Sequence, residues 1–469
     1  MQKVSVATEW QPPSQLDSAM RYDLLVLGNT LAAQRGAIAA ATLHKRVAIV
    51  VADNSADALD EARPALLQEA YRALEGDRLL QLRCDAVDFE SLTMADIRRE
   101  VDARLQAERL GFLEKCERLE IDVIVGTPSC LGGQGVAVQT GTGTRVLTAE
   151  RILVATGTRP ARPERIPFDG RQVLTADELL GLDELPKSVT VVGAGSTGIE
   201  FSFVLATMGV RVTLVDGARR VLPGYDAEIV EALLAGARSQ GIGCRLGRDV
   251  VGVDRTAQGV TAYLSNGERL ESDAVLYAVE RLGQTDDLNL DAAGVGVDDR
   301  GRLWCDQQLR TWAPGVYAAG EVVGFPGHAT DSTEAAEHAV YHAFGQPSDG
   351  LESYPMRLET SPAVAGVGRL EGQLRRAFVS YTTEVFSVRD LIEDAGTGPS
   401  LIKILSHRET HQLLGVQCLG DDANAIVRVA RSVLSFEGTA DWFRDAVAHE
   451  LAGTERQPTP APLRVFQPA

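Results

Sequence analysis

Short apolar runs, each closed by a glycine turn, set the rhythm of the chain. Residues 22–51 read YDLLVLGNTLAAQRGAIAAATLHKRVAIVV. A continuous apolar run meets Gly28, an alanine-rich stretch with helical spacing follows, and a second β-branched run closes the segment. Runs of this length and composition are buried parallel strands, so the segment is a βαβ unit of about 30 residues. Residues 188–216, SVTVVGAGSTGIEFSFVLATMGVRVTLVD, repeat the plan. Two such copies far apart are two nucleotide-fold units rather than a short-period solenoid.

Between them the pattern predicts helices over roughly 56–118, then strands through VIVG, GVAVQTG and TRVLTAERILVATG. Hairpin strands are expected around VTAYLSNGERLESDAVLYAV, with Asn266-Gly267 as the turn. A last block, 351–450, alternates strands (PSLIKILSHRETHQLLGVQCLG) with helices (ANAIVRVARSVLSF, TADWFRDAVAHELA). His407-Arg408-Glu409 reads as the turn between two of those strands. Residues 1–20 are expected to be flexible, and the proline-rich tail 451–469 loose.

Composition narrows the function classes. The chain has 469 residues and a formal charge of −19, which disfavours nucleic acid and anionic membrane as partners. No apolar run reaches the roughly 18 residues of a membrane span, and the polar start with Pro12 and Pro13 is no secretory signal. The six cysteines, at 84, 116, 130, 244, 305 and 418, form no CxxC pair. They fit buried thiols in a reducing cytoplasm. No metal site is assigned. His338 and His342 stand at i, i+4 with Glu334 and Glu337 nearby, but metal ligation needs a third converging ligand, and a solvated helix face is the expectation. Residues 285–299 lack the calcium-loop pattern and read as solvated loop.

The sharpest chemical signal is Gly193-Ala194-Gly195-Ser196-Thr197-Gly198. It follows a strand and opens a helix. The first glycine permits the turn, the second lets backbone approach a pyrophosphate, and the third lets helix and strand pack closely. The helix N-terminus offers N–H groups to phosphate. Asp216 closes the next strand, where a carboxylate accepts from ribose hydroxyls. This favours NAD, while Arg219 and Arg220 beside it suit a 2′-phosphate. The first turn, Gly28-Asn29-Thr30-Leu31-Ala32-Ala33, keeps only the first glycine. Thr30 is expected to put a branched side chain where pyrophosphate would come. Ala33 is a tolerated third position, and Val51 stands where a ribose-binding acid is expected, with Asp53 two residues on. A unit kept as scaffold and a working dinucleotide site are both open readings here.

Two further segments complete a pattern. Ile152-Leu153-Val154-Ala155-Thr156-Gly157 is a strand ending in an ATG turn, and Val316-Tyr317-Ala318-Ala319-Gly320-Glu321 is a strand ending in glycine plus acid. In this order the four turns resemble the pyridine nucleotide-disulfide oxidoreductase flavoproteins, with soluble pyridine nucleotide transhydrogenases and dihydrolipoamide dehydrogenase the nearest kinds. The resemblance runs from about residue 22 to 435. It implies an α/β fold of two Rossmann-like FAD/NAD(P)-binding domains plus an α+β C-terminal dimerisation domain. The FAD-type domain would be discontinuous, 21–160 and 285–350. The NAD(P) domain would cover 161–284, and the dimerisation-type domain 351–450. By resemblance, Gly28, Thr30, Ala33, Thr156, Gly157, Gly320 and Glu321 line FAD. Gly193, Gly195, Ser196, Thr197, Gly198, Glu200, Asp216 and Arg219 line NAD(P). A homodimer and hydride transfer between nicotinamide and flavin are implied with them.

Departures from the family pattern define two readings. The cysteine-containing GGxC…PSK segment of the family is replaced by ADNSADALDEARPALLQEAYRAL, with no cysteine and no lysine. Disulfide chemistry is lost with it, as is the lysine that in the family pairs with the glutamate at Glu200. The glycine-acid turn carries Glu321 rather than aspartate. Asp331 and Glu334 are expected to put negative charge near a reduced flavin, and Glu280 stands where the family has glycine. The family's His-x4-Glu pair is absent; only Ala448-His449-Glu450-Leu451 stands near the C-terminus. One reading is an NAD(P)H oxidoreductase of the flavoprotein type without a redox disulfide, its catalytic residues unassigned. The other is a non-catalytic NAD(P)-binding homologue without tight FAD binding, acting as sensor or partner subunit.

Overall fold

A computed structural model describes residues 21–52, 93–325, 332–348, 350–351, 354–387, 390, 400–452 and 465–466. The predicted apolar runs become strands of three main sheets. The first contains β1 (Arg21–Leu27), β2 (Val47–Val51), β3 (Asp122–Val125), β4 (Thr127–Gly132), β5 (Gly135–Thr140), β6 (Gly143–Val154) and β18 (Val316–Ala318). Its order is β3-β2-β1-β6-β5-β4, with β18 on β6. β6 does two jobs along its length. Its first half pairs antiparallel with β5, and its second half lies parallel between β1 and β18.

Helix α1 (Leu31–Thr42) crosses from β1 to β2 and packs on α5 (Ser332–Ala343). The close contact follows from small residues: a Cβ on Gly36 would sit 2.4 Å from the Leu153 side chain. The long helix α2 (Met94–Arg118) starts on a capping box made by Thr93 and Asp96. It joins two cores. Met94, Ile97 and Val101 pack with the second nucleotide unit, Phe112 and Cys116 with the first.

A two-stranded antiparallel ribbon, β7 (Thr158–Pro160) with β16 (Arg281–Gly283), leads into and out of the second unit. That unit is a parallel sheet of β8 (Val173–Thr175), β9 (Ser188–Val192), β10 (Arg211–Asp216), β11 (Gly243–Leu246) and β15 (Ala274–Tyr277), in the order β11-β10-β9-β15-β8. Helices α3 (Ser196–Thr207) and α4 (Ala227–Ser239) cover it. An antiparallel sheet of β12 (Val250–Thr256), β13 (Gly259–Leu264) and β14 (Arg269–Ser272) packs beside it. The Asn266-Gly267 turn joins β13 and β14, with Gly267 at φ +85°. β17 (Leu303–Trp304) and β19 (Val323–Phe325) form a short parallel pair.

The third sheet is antiparallel: β20 (Met356–Leu358), β21 (Val364–Gly368), β22 (Tyr381–Phe386), β23 (Leu401–His407), β24 (Leu413–Leu419) and β25 (Val465–Phe466), in the order β20-β21-β24-β23-β22-β25. Helix α6 (Glu371–Arg376) follows β21, and α7 (Ala423–Ser435) and α8 (Ala440–Ala452) pack on the sheet. This layer is joined to the second unit by an ion cluster. Lys403 Nζ, 1% exposed, lies 2.6 Å from Glu371, 2.8 Å from Glu228 and 3.2 Å from Asp226. His407–Glu409 does form the turn between β23 and β24.

Two expectations need correction. His338 is not on a solvated face: it is buried, bonded to the Gln307 carbonyl at 3.1 Å and the Ser348 hydroxyl at 3.0 Å. Its helix packs on α1 and β18, which the i, i+4 pattern does not reveal. Residues 285–299 are not simply solvated. Two 3₁₀ turns, Asp286–Leu288 and Leu290–Ala293, bury Leu288, Leu290 and Val295 in the first core. Its few apolar residues win over its many aspartates.

Candidate functional site: two strand-end crevices and their junction

Register puts the decisive turns side by side. Leu27 at the end of β1 lies opposite Val50 and Val154, and Val154 lies opposite Ala318. The residues that follow, Gly28, Val51, Ala155-Thr156-Gly157 and Ala319-Gly320-Glu321, therefore rim one crevice at the carboxyl ends of parallel strands. That is where open α/β sheets take ligands. Gly28 has φ +122°, and a Cβ there would fall 2.2 Å from the Ala155 carbonyl oxygen. Only glycine fits this crossing.

Thr30 does not occupy the crevice as the sequence led one to expect. Its side chain turns inward, accepts from the Ala33 N–H at 3.2 Å and donates to the Ala155 carbonyl at 2.9 Å. It is the N-cap of α1. A hydroxyl with two backbone partners nearby gains more inside than in water. Thr156 Oγ1, at the same rim, is buried without a hydrogen-bond partner among the described residues. Val51 is buried and brings no acid to the end of β2; Asp53 lies outside the described residues. Glu321 is drawn aside. It accepts from the Thr158 hydroxyl and pairs with Arg281 at 3.2 Å, which also reaches Asp177 at 3.2 Å. Glu334 turns to Arg431, 2.8 Å away, so its charge is matched locally. Asp331 lies outside the described residues, as does the segment that replaces GGxC…PSK.

The second crevice repeats the frame with its glycines intact. Val192 aligns with Val215 and Tyr277, which brings Gly193, Asp216 and Ala278 together. Gly193 (φ +105°) presses on Ala278, and a Cβ on Gly198 would lie 1.8 Å from the Gly193 carbonyl oxygen. Gly195 differs from both: it is exposed, and no atom lies within 4 Å of where its Cβ would be. Ser196 and Thr197 open α3, whose first N–H groups have no partner within the helix. Asp216 accepts from the Ala194 and Ala218 N–H groups at 2.6 and 2.7 Å, which fixes the carboxylate at the rim. Arg219 and Arg220 are exposed next to it. Glu280 pairs with Arg300 at 2.7 Å.

The two crevices meet at Glu200 on α3. Its Oε1 accepts from the Glu359 N–H at 3.0 Å. Burial, helped by the charges of Glu359 and Glu321, pushes its carboxyl up to about 8. Beside it the Tyr225 hydroxyl is buried and has no hydrogen-bond partner among the described residues. Sequence reasoning missed Tyr225, Glu359, Thr158 and Arg281. Tyr225 and Glu359 come from elements remote in sequence and stand in no motif, whereas Thr158 directly follows the Ala155-Thr156-Gly157 turn and Arg281 directly follows Glu280.

Residues 22–343 match the pyridine nucleotide-disulphide oxidoreductase family, and residues 355–457 match the dimerisation domain of the same family. The chain belongs to the pyridine nucleotide-disulphide oxidoreductase family. Within this family it is 34% identical over 444 residues to the soluble pyridine nucleotide transhydrogenase of Mycobacterium bovis, covering 91% of this chain and 93% of that one. It is 30% identical over 428 residues to the Pseudomonas putida protein of that name, covering 89% and 92%. Among solved structures, LpdA from Mycobacterium tuberculosis has the same fold, with a TM-score of 0.77 at 24% identity over 90% of this chain and 94% of that one. The HOCl-induced flavoprotein disulfide reductase RclA from Escherichia coli superposes with a TM-score of 0.71 at 21% identity, covering 89% and 94%. Family membership implies nucleotide cofactors of the pyridine and flavin kinds. Among the described residues no helix is long and apolar enough to cross a membrane.

Proposed function

We propose that the protein is an NAD(P)H oxidoreductase of the flavoprotein type, similar to soluble pyridine nucleotide transhydrogenase, that moves hydride between nicotinamide and FAD without a redox disulfide. The observation that carries this reading is the pair of strand-end crevices facing a common junction, in a chain that aligns with those transhydrogenases over nine-tenths of its length. The residues fit the two groups. In the second crevice the open space at Gly195, the unbonded N–H groups at Ser196 and Thr197, and the fixed Asp216 carboxylate suit pyrophosphate and ribose. Arg219 suits a 2′-phosphate. In the first, Gly28, the N-terminus of α1 and the unmet Thr156 hydroxyl suit a second dinucleotide, with Gly157, Gly320 and Glu321 at its rim. Thr30 and Ala33 serve it by holding the helix start in place.

Bound flavin would supply a two-electron carrier between the nicotinamide and a second acceptor. The protein's own part is binding and exclusion. Helix N-termini offer N–H donors to phosphates, and Asp216 orients the ribose. The described cysteines are free thiols and take no part. Burial pushes Cys116 up to about 11 and Cys305 up to about 12, so neither offers a thiolate at neutral pH. The domain matched by residues 355–457 supports a homodimer as the working form. The dispersed thiols support a cytoplasmic location.

The test is spectroscopic. Purified protein should carry a visible flavin spectrum that survives dialysis and bleaches on addition of NADH. A colourless protein that NADH still protects against heat would support instead the non-catalytic nucleotide-binding reading. A colourless protein that NADH does not protect would overturn both.

A further inference from the structure

The second crevice lies across the middle of its sheet. In the order β11-β10-β9-β15-β8 the glycine turn leaves β9, with β10 on one side and β15 on the other. A dinucleotide's two halves leave the central pyrophosphate in opposite directions. At a reversal of strand order they fall on opposite neighbours of the central strand. Asp216, at the end of β10, takes one side, so the end of β15 is the wall for the other. There the Ala278 N–H donates to the Val192 carbonyl at 2.7 Å, and a Cβ on Gly193 would lie 2.8 Å from the Val279 Cα. Glu280 comes next and carries the first charge beyond that wall. Its carbonyl accepts from the Ala161 N–H at 2.9 Å, which pins its backbone. Arg300 lies 2.7 Å from its carboxylate, the two side chains being 43% and 41% exposed. Arg300 is anchored in turn: its N–H donates to Asp298 at 2.9 Å and its carbonyl accepts from the Gly283 N–H at 2.8 Å. An exposed ion pair adds little stability, yet backbone bonds fix both halves of this one beside the crevice.

We propose that Glu280 is a substrate-binding residue of the second crevice, whose carboxylate accepts from the hydroxyls of the ribose on the nicotinamide side, and that Arg300 is the positioning residue that holds it there. This rests on the reading of the crevice as a nicotinamide nucleotide site. Glu280 is then the counterpart of Asp216, one carboxylate beyond each neighbour of β9, with the pyrophosphate place between them. The donor and acceptor sets match. A ribose presents two adjacent hydroxyls that can both donate, and an ionised carboxylate only accepts, with room for both. Arg300 reaches Oε1, and among the described residues no second cation pairs with this carboxylate. The guanidinium also offsets a negative charge that would otherwise stand near the pyrophosphate.

Three ligands separate the two ends of the site. ADP carries the adenosine ribose and the pyrophosphate but no second ribose. ADP-ribose adds that ribose without the nicotinamide, and NADH carries all of them. The dissociation constant of the full-length protein for each is measured by calorimetry. Glu280→Ala should weaken ADP-ribose and NADH by about tenfold, the loss of a charge-assisted contact. It should leave ADP as tight as in the wild type or tighter, since a negative charge is gone. Glu280→Gln, which keeps an acceptor and drops the charge, should lie between. Asp216→Ala should weaken all three ligands alike. Arg300→Met should weaken ADP-ribose and NADH by a smaller factor than Glu280→Ala, with ADP not weakened, and Arg300→Lys should restore most of that loss. If Glu280→Ala leaves ADP-ribose unchanged, or weakens ADP as much as ADP-ribose, the proposal is overturned. An Arg300→Met change that weakens ADP equally makes Arg300 a phosphate ligand and overturns its positioning role. If the wild type binds none of the three, the nucleotide reading falls and takes the proposal with it; if it binds all three and only the Glu280 variants fail to discriminate, the proposal falls alone.

Discussion

Gly28 and Gly193 occupy equivalent places in two sheets, both at positive φ and both pressed against the strand that follows the switch in strand order. Two positions further on the likeness ends. Gly195 faces open space, whereas Thr30 folds its hydroxyl into the protein and caps the helix. The acids diverge too. Asp216 is held at the rim by two N–H donors, while β2 ends in Val51 and Glu321 leans toward Arg281. The backbone frame of a dinucleotide crevice is thus separable from the side chains that decorate it. The frame persists because its glycines are required by chain-on-chain packing, ligand or not. The decoration is under no such constraint, and only in the second crevice does it match the full pattern.

The comparison breaks most sharply at the glycines. Gly198→Val forces a carbon onto the Gly193 carbonyl and should cost about 3 kcal/mol in urea unfolding, with loss of NADH protection. Gly195→Val, at an open position, should keep stability within about 1 kcal/mol and still lose the protection. If both variants behave alike, the separation of frame and decoration is wrong.

The pH dependence is next in size. Glu200 has its ionisation raised by folding, so its favourable share of stability is complete below about 4.5 and is lost as pH rises toward about 8. The melting temperature of Glu200→Gln should therefore gain on wild type between those limits and run parallel outside them. A constant difference would mean that Glu200 titrates normally. Thr30→Ala should cost about 1–2 kcal/mol by thermal unfolding, the signature of a cap. A stabilising effect would mean that the hydroxyl serves the crevice instead. Smallest of all, Glu321→Gln in a double-mutant cycle with Arg281→Met should return less than about 1 kcal/mol, as for part-exposed pairs.

Much of this was legible along the chain. The βαβ units, the β13–β14 hairpin and the Gly193 turn are local patterns, written in periodicity and glycine spacing. Thr30 was legible as a departure but not in its consequence. Whether a threonine points out or in depends on the Ala155 carbonyl, a partner supplied by a strand far along the chain. Glu334 and Glu321 looked like charges aimed at a cofactor. Each has an arginine partner, Arg431 and Arg281, whose proximity arises only from folding. His338 misled for the same reason, since the pattern of its helix does not say which neighbours cover it. The junction at Glu200 was the least visible, because it is assembled from α3, the turn before α4 and segments after β18 and β20.

The β7–β16 ribbon has a topological consequence. Thr158 and Gly283 are paired neighbours, so the chain leaves for the second crevice and returns from it through points about 5 Å apart. Seen from the first sheet, everything between them is one long excursion that closes on itself. An excursion of that kind can be lengthened, replaced or lost in descent without disturbing the strands at its root. The two crevices can therefore accumulate substitutions at different rates, each on its own account, while the ribbon keeps their mouths turned toward each other.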